Sequence, residues 1–276
     1  MTKIIKNIYN LSVKSRLFQI KINEFLRNKK IIVPLHLAFG HEIIAALVKS
    51  LIQKNDKIVL PHRNIHFVSL FSKNPLQFYK NLFQNKYHKL KTSGSMNYFE
   101  NNNQIAYTSS ILGNNFSVSC GISFFQKKKS ILICVAGDGA IEEGSFYESL
   151  CLAKYLRIPI LYLIENNQWS MYTKIKDRRC EINLSKLCAS LKINYESLSF
   201  KNFNYTIKKF KKNISVCRNL KEPVVVEFNI KTLGHFIKNN KYINYHHGMA
   251  NLSLIDKIFF NKSETLYKLK ELIDKN

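Results

Sequence analysis

Two short apolar runs separated by a helical pattern stand out in the centre of the chain. Ser130–Ala136 and Ile160–Ile164 are almost continuously apolar, which is typical of strands buried on both faces of a sheet. Between them, Gly137–Gly139 breaks the first strand, and Ile141–Leu156 has apolar positions at helical spacing. The pattern predicts a strand–helix–strand unit, which we expect to be parallel and right-handed.

The remaining patterns extend the same architecture. Residues about 1–30 have apolar positions at helical spacing, and a second helix is predicted from His41 to Gln53. Lys57–Leu60 and Pro223–Ile230 are predicted strands, whereas residues 92–115 are rich in Ser, Asn and Gly and are predicted to form a loop. Strands that alternate with helices predict an α/β fold with an open, mainly parallel sheet and helices on both faces.

Composition and charge narrow the class of protein. Since 46% of the 276 residues are hydrophobic and no long linker is present, we predict one domain over residues 1–276. The net charge of +25 suggests nucleic acid or an anionic surface as a partner. However, the 43 basic residues include only seven arginines, the residue type that usually recognises bases and phosphates. Nucleic-acid binding is therefore an alternative that the composition does not favour.

Cysteine spacing and the length of apolar segments indicate the compartment. The six cysteines form no CxxC pair, and Cys134 and Cys151 lie in apolar segments where we expect core thiols. The N-terminus has no unbroken apolar stretch of the kind found in signal peptides, and the longest apolar runs are far shorter than a membrane span. These features predict a cytoplasmic protein that does not enter a membrane.

Polar residues follow the two central strands at the points where the strands end. Asp138 comes directly after the first strand and Asn167 directly after the second, and a parallel crossover brings both strand ends to the same edge of the sheet. Their oxygens are the ligands that Mg²⁺ prefers, and a helix starting near Ile141 would offer free N–H groups to an anion. Gly137 and Gly139 allow the backbone to approach a phosphate. The pattern predicts a metal–diphosphate site, although GDG alone is also a common turn.

The stretch from Gly137 to Thr173 resembles the thiamine diphosphate motif, in which GDG is followed by a pair of asparagines. It is most similar to the alpha subunit of the decarboxylating component of 2-oxo acid dehydrogenases. The resemblance implies that Asp138, Asn167 and the backbone carbonyl of Trp169 bind Mg²⁺. It also implies that backbone N–H groups of Gly139 and Ala140 bind the diphosphate.

Further segments resemble the family in the same order along the chain. His36–Glu42 looks like the family's HLSxGQE, which implies that His36 is a catalytic residue near the 2-oxo acid. His62–Arg63 looks like the pair that contacts the diphosphate. Ser110–Gly113 looks like the GIVG segment, which implies cofactor contacts from Ser110 and Leu112, and Gly94–Asn97 looks like GSMH with Asn in place of His.

The sequence also departs from the family's pattern. His41 replaces a Gln, Ile65 stands where HRxH has its His, and the TYRYxGHS segment is reduced to Lys231–His235. His235 is nevertheless implied as a second catalytic residue. The C-terminal stretch with His246–His247 resembles the N-terminal segment of transketolase, so a split transketolase or a sugar-modifying thiamine enzyme is the alternative enzyme hypothesis.

The family resemblance implies partners. In the family, the glutamate that activates the aminopyrimidine ring lies on a separate beta subunit that supplies the pyrimidine domain. We therefore expect an α2β2-type assembly that is inactive without its beta subunit, a small 2-oxo acid as substrate, and a lipoyl acyltransferase as a further partner.

Overall fold

A computed structural model describes most of the chain. The described residues are 2–29, 35–75, 104–126, 129–234, 236–238, 241–243, 246, 259 and 262–274. They belong to two compact units, each made of more than one segment of the chain. The first comprises residues 1–51, 62–102 and 231–276, and the second comprises residues 52–61 and 103–230. The expectation of a single domain over residues 1–276 stays a prediction.

The second unit contains a six-stranded parallel sheet in the order β2-β1-β3-β4-β8-β7. The six strands are β1 (Lys57–Leu60), β2 (Ile105–Thr108), β3 (Leu132–Gly137), β4 (Ile160–Asn166), β7 (Asn194–Leu198) and β8 (Val224–Asn229). A separate antiparallel hairpin follows β4 and consists of β5 (Trp169–Ser170) and β6 (Thr173–Lys174). The central strands β3 and β4 are buried along almost their whole length, which explains their continuous apolar sequence.

Helices cover both faces of this sheet. They are α4 (Asn114–Phe124), α5 (Gly144–Tyr155), the short α6 (Ile175–Arg178), α7 (Leu184–Ser190) and α8 (Phe203–Leu220). Phe116 of α4 and Phe146 of α5 pack on one face, in a buried cluster that includes Tyr162 of β4. On the opposite face, Phe210 of α8 packs against Phe228 of β8 with ring centroids 5.5 Å apart. The predicted fold class, an open parallel α/β sheet with helices on both faces, is confirmed.

The first unit is mainly helical. Its elements are α1 (Thr2–Arg27), α2 (Glu42–Leu51), α3 (Ile65–Phe71), α9 (Thr265–Asp274) and an antiparallel pair, β9 (Phe236–Lys238) and β10 (Lys241–Ile243). Among the described residues, no helix combines the length and the apolar character that crossing a bilayer requires.

Three details of the sequence prediction are wrong. Residues 105–108, predicted as loop, form β2, because a four-residue edge strand flanked by Ser and Asn gives little periodic signal. The helix predicted to start near Ile141 starts at Gly144, since a 3₁₀ turn and an extended Glu143 precede it. Cys151 is exposed, because it lies on the outer face of α5, whereas Cys134 is buried as expected.

A buried ion pair joins α1, α2 and the residue before α9. Arg16 is 1% exposed, its Nε donates to Glu42 Oε1 at 2.5 Å, and its Nη1 donates to Glu264 Oε2 at 3.3 Å. Glu42 also accepts the backbone N–H of Gly40 at 2.7 Å and the Gln19 amide at 3.1 Å. These bonds satisfy a guanidinium that burial would otherwise destabilise.

We expect Glu42→Gln to lower the free energy of unfolding by about 3 kcal/mol, because it leaves the buried Arg16 without its main counter-charge. Glu24→Gln is the matched control. Its partner Lys21 lies 3.2 Å away on the surface of α1, with side chains 55% and 39% exposed, so the change should cost under about 0.5 kcal/mol. Urea unfolding of both variants measures the difference, and equal costs would contradict the assigned role of Glu42.

Candidate functional site

The carboxyl group of Asp138 is buried at the end of β3. The residue is 1% exposed, and its Oδ2 accepts a hydrogen bond from Arg178 Nη2 at 2.8 Å. The backbone N–H of Asn167 also donates to this carboxyl, so the ends of β3 and β4 meet here. Burial raises the pKa of the Asp138 carboxyl, and the Arg178 guanidinium partly offsets that rise. A carboxylate in this position requires a cation beside it.

The chain turns sharply after β4, and the turn sets the positions of Asn167 and Trp169. Gln168 has a φ of +67°, a left-handed conformation that is uncommon for a residue with a side chain. Two hydrogen bonds to Asn166 Oδ1 hold it, from the Gln168 backbone N–H at 2.9 Å and from its side-chain amide at 2.8 Å. Asn167 Oδ1 accepts the Trp169 N–H at 2.9 Å. The turn thereby fixes the Asn167 side-chain oxygen and the Trp169 peptide group directly after the strand end whose N–H contacts Asp138.

The two glycines of GDG differ in their surroundings. A Cβ at Gly139 would lie 2.8 Å from the Cβ of Ser170, so the β5–β6 hairpin approaches Gly139 too closely for a side chain. A Cβ at Gly137 would meet no protein atom within 4 Å, so there is open space beside the end of β3. Open space next to a carboxylate and amide oxygens fits a hydrated divalent cation with its phosphate ligand.

Two arginines on the segment after the hairpin form ion pairs with acidic residues of the GDG segment. Glu142 Oε1 accepts Arg178 Nε at 2.7 Å and Arg179 Nε at 2.8 Å. Ala140, which is 9% exposed, and Glu142 both lie in the 3₁₀ turn that precedes α5. The role of Arg178 was missed at the level of sequence, because nothing in a basic side chain's local sequence shows which distant carboxylate it meets.

Ser110 and Leu112 lie in the loop between β2 and α4, and both are exposed. The next residue, Gly113, has a φ of +75°, and a Cβ there would lie 2.6 Å from the Cβ of Glu143. The carbonyl of Gly113 also accepts the Ser145 hydroxyl at 2.9 Å. This loop therefore packs against the start of α5, next to the GDG segment. The predicted cofactor contacts of Ser110 and Leu112 stay predictions.

The first unit brings together a second group of predicted residues. The Nε2 atoms of His36 and His246 lie 3.2 Å apart, and the ring centroid of His36 lies 4.8 Å from that of His62. Arg63 donates to the backbone carbonyls of Leu37 and His246, the latter at 3.0 Å. Arg63 thus connects the segment that carries His36 to the segment that carries His246. His235 and Gly94–Asn97 lie outside the described residues.

Two histidines of the first unit have clear environments. Burial, followed by the charge of Arg63, lowers the pKa of His62 to about 4, so its imidazole is neutral near pH 7. His41, which replaces a Gln of the family pattern, is buried with its Nε2 2.8 Å from the hydroxyl of Thr232. His41 is therefore held by a polar contact within the first unit.

Comparison with known proteins identifies the family. The sequence matches the family model described as dehydrogenase E1 component over residues 9–242. Because the match covers most of the chain, the chain belongs to this family.

Curated relatives are named pyruvate dehydrogenase E1 component subunit alpha. The Rickettsia prowazekii protein is 26% identical over 277 residues, which is 98% of this chain and 80% of the relative. The Rickettsia bellii protein is 26% identical over 70% of this chain, and this alignment spans 60% of the relative's length. The mitochondrial protein of Dictyostelium discoideum is 30% identical over 51% of this chain and 38% of its own.

A solved structure described as a putative thiamin diphosphate-dependent enzyme from Mycobacterium smegmatis is also similar. It shares 9% identity with a TM-score of 0.46, and the match covers 72% of this chain and 33% of the other. A likeness of this size is too small to decide either fold or function.

We expect Gly139→Ala to lower the stability of the second unit by about 1–3 kcal/mol, because its methyl group would press on Ser170. Gly121→Ala is the control. This glycine lies in α4, and a methyl group there would meet no atom within 4 Å, so alanine should stabilise the helix by about 0.5–1 kcal/mol. If the close approach at Gly139 is real, the unfolding temperature falls for Gly139→Ala and rises for Gly121→Ala.

The lowered pKa of His62 predicts a pH dependence of stability. Its folded-state pKa is about 4, against roughly 6.5 for an unfolded chain, so the unfolded state binds more protons between these values. The free energy of unfolding is therefore highest above pH 6.5, and it falls by up to about 3 kcal/mol as the pH falls towards 4. His62→Asn should remove this slope in denaturation measured at pH 7 and pH 5. An unchanged slope would show that folding does not lower the pKa of His62.

Proposed function

We propose that this chain is the alpha subunit of a 2-oxo acid dehydrogenase that binds thiamine diphosphate through Mg²⁺. The observation that supports the proposal most is the buried Asp138 carboxyl at the end of β3, in contact with the N–H of Asn167 after β4. The sequence matches the dehydrogenase E1 component family over residues 9–242, and its relatives are named as pyruvate dehydrogenase alpha subunits.

The residues of the second unit fit the cofactor's polar end. The Asp138 carboxylate, the Asn167 side-chain oxygen and the Trp169 carbonyl would be hard oxygen ligands for Mg²⁺, and backbone N–H groups of Gly139 and Ala140 would bind the diphosphate. The open space beside Gly137 is compatible with a phosphate approaching the backbone. Thiamine diphosphate, when bound, supplies the nucleophilic carbon and the electron sink for decarboxylation.

The residues of the first unit would act on the substrate. His36 is 7% exposed and lies next to His62 and His246, so it would orient the 2-oxo acid by hydrogen bonding and supply or accept a proton at its oxygen. Since the pKa of His62 is about 4, His62 would contact the cofactor as a neutral hydrogen-bonding group. Arg63 would provide the fixed positive charge next to it.

The names of the relatives support an assembly with other proteins. They are called alpha subunits of an E1 component, so we propose a beta subunit that supplies the pyrimidine domain and the activating glutamate. A lipoyl acyltransferase would accept the acyl group. The compartment that we propose is the cytoplasm, where the six free cysteines would remain reduced.

The alternative of a nucleic-acid-binding protein is not favoured. Six of the seven arginines donate hydrogen bonds to carboxylates or backbone carbonyls of the chain itself: Arg16, Arg63, Arg157, Arg178, Arg179 and Arg218. Arginines committed to internal contacts are poorly placed to read phosphates or bases. The family match also favours the dehydrogenase over a split transketolase.

Isothermal titration calorimetry with thiamine diphosphate and Mg²⁺ tests the proposed site. We expect Asp138→Asn to weaken binding by roughly 100-fold or more, because it removes the charged ligand while preserving its shape. Asp177→Ala is the matched control, since this aspartate is exposed on α6 beside the same segment. Equally strong binding by the wild-type chain and both variants would reject the assigned metal site. No binding by the wild-type chain would reject the proposal that this chain by itself holds the diphosphate.

A further inference from the structure

The Asp138 carboxylate already has a cation beside it, and that cation belongs to the protein. Arg178 Nη2 lies 2.8 Å from Asp138 Oδ2, with side chains that are 12% and 2% exposed. The remaining groups of the same guanidinium are also engaged. Its Nε donates to Glu142 Oε1 at 2.7 Å, and its Nη1 donates to the Thr173 carbonyl at 3.3 Å. Arg178 is therefore held in one orientation by three acceptors.

Arg178 belongs to the same segment as the other residues proposed to bind the metal. The chain runs from Asn167 through the β5–β6 hairpin into α6, which ends at Arg178. The hairpin approaches Gly139 closely through Ser170, and a Cβ at Gly139 would also lie 3.9 Å from Arg178 Nη2. The guanidinium thus occupies space directly beside the GDG backbone, where a diphosphate would have to come.

A divalent cation and this guanidinium compete for the same carboxylate oxygen, Asp138 Oδ2. Mg²⁺ requires its oxygen ligands at about 2.0–2.1 Å in an octahedral shell. With the guanidinium nitrogen 2.8 Å from Asp138 Oδ2, a metal bound to that oxygen would face a like charge at close range in a buried position. Arg178 therefore has to leave Asp138 Oδ2 before a metal can bind to this oxygen.

We propose that Arg178 is an internal competitor of the metal ion, which holds Asp138 in the metal-free chain and is displaced when Mg²⁺ and thiamine diphosphate bind. This inference rests on the proposed function. It assigns a role to α6 that the metal ligands alone do not have: the ion pair holds the buried carboxylate in place before the cofactor arrives. Binding is then coupled to release of the segment around Arg178.

Whether the affinity for Mg²⁺ and thiamine diphosphate rises or falls when Arg178 is replaced distinguishes a competitor from a ligand. We expect Arg178→Gln to bind Mg²⁺ with thiamine diphosphate about 10-fold more tightly than the wild-type chain in calorimetry, because no guanidinium has to be displaced. Arg178→Lys should lie between the two, since lysine retains the charge without the planar fork. Arg179→Gln is the control. It loses the neighbouring pair with Glu142 and leaves Asp138 untouched, so its affinity should stay within about twofold of wild type.

Two kinds of failure can be separated. If the wild-type chain binds the cofactor with Mg²⁺ and Arg178→Gln binds equally or more weakly, the competitor role is wrong and Arg178 is neutral or a diphosphate ligand. If neither the wild-type chain nor the three variants bind, the proposed diphosphate site of this chain fails, and this inference with it.

Hydrogen exchange on the wild-type chain provides a measurement that does not depend on any variant folding. We expect the backbone amides of Ile175–Arg179 to exchange faster once Mg²⁺ and thiamine diphosphate are added, because their anchor on Asp138 and Glu142 is released. Unchanged or slower exchange in this segment, together with cofactor binding, would overturn the displacement.

Discussion

A carboxylate withdrawn from water at the tip of a buried strand must be neutralised, and this requirement organises the candidate site. Asp138 is 1% exposed, and burial raises the pKa of its carboxyl. An isolated charge there would be costly, so the protein surrounds it with the Arg178 guanidinium and the Asn167 N–H. The hairpin, the Glu142 ion pairs and the close approach at Gly139 all serve to hold that neutralising group in position.

The parallel sheet explains why this carboxylate and the asparagine meet. Strands β3 and β4 pair in register from Leu132 with Ile160 to Gly137 with Glu165, so the next residues of both strands emerge at the same edge. The next strand, β8, also supports this strand end. Its Glu227 accepts a hydrogen bond from the Asn166 amide at 2.6 Å and thereby fixes the residue before Asn167. A site assembled from strand ends inherits the rigidity of the sheet that carries it.

Much of this arrangement could be predicted from the sequence, and the reasons for the failures are physical. Continuous apolar runs identified β3, β4 and β8, because strands buried on both faces have no polar alternation. The adjacency of Asp138 and Asn167 followed from the right-handed crossover. The ion pair of Arg178 with Asp138 could not be predicted from the sequence. The two residues are distant in sequence and meet through a hairpin with left-handed turn residues.

The sulfur atoms of the chain divide into two chemical classes. Burial raises the pKa of Cys134 and Cys188 to about 12, so these thiols remain protonated and react slowly with electrophiles, whereas Cys151 and Cys180 are exposed. Cys180 directly follows Arg179, whose Nη1 donates to the Cys180 carbonyl at 2.9 Å. A thiol-directed reagent would therefore modify the two surface sulfurs first and leave the buried thiols unchanged.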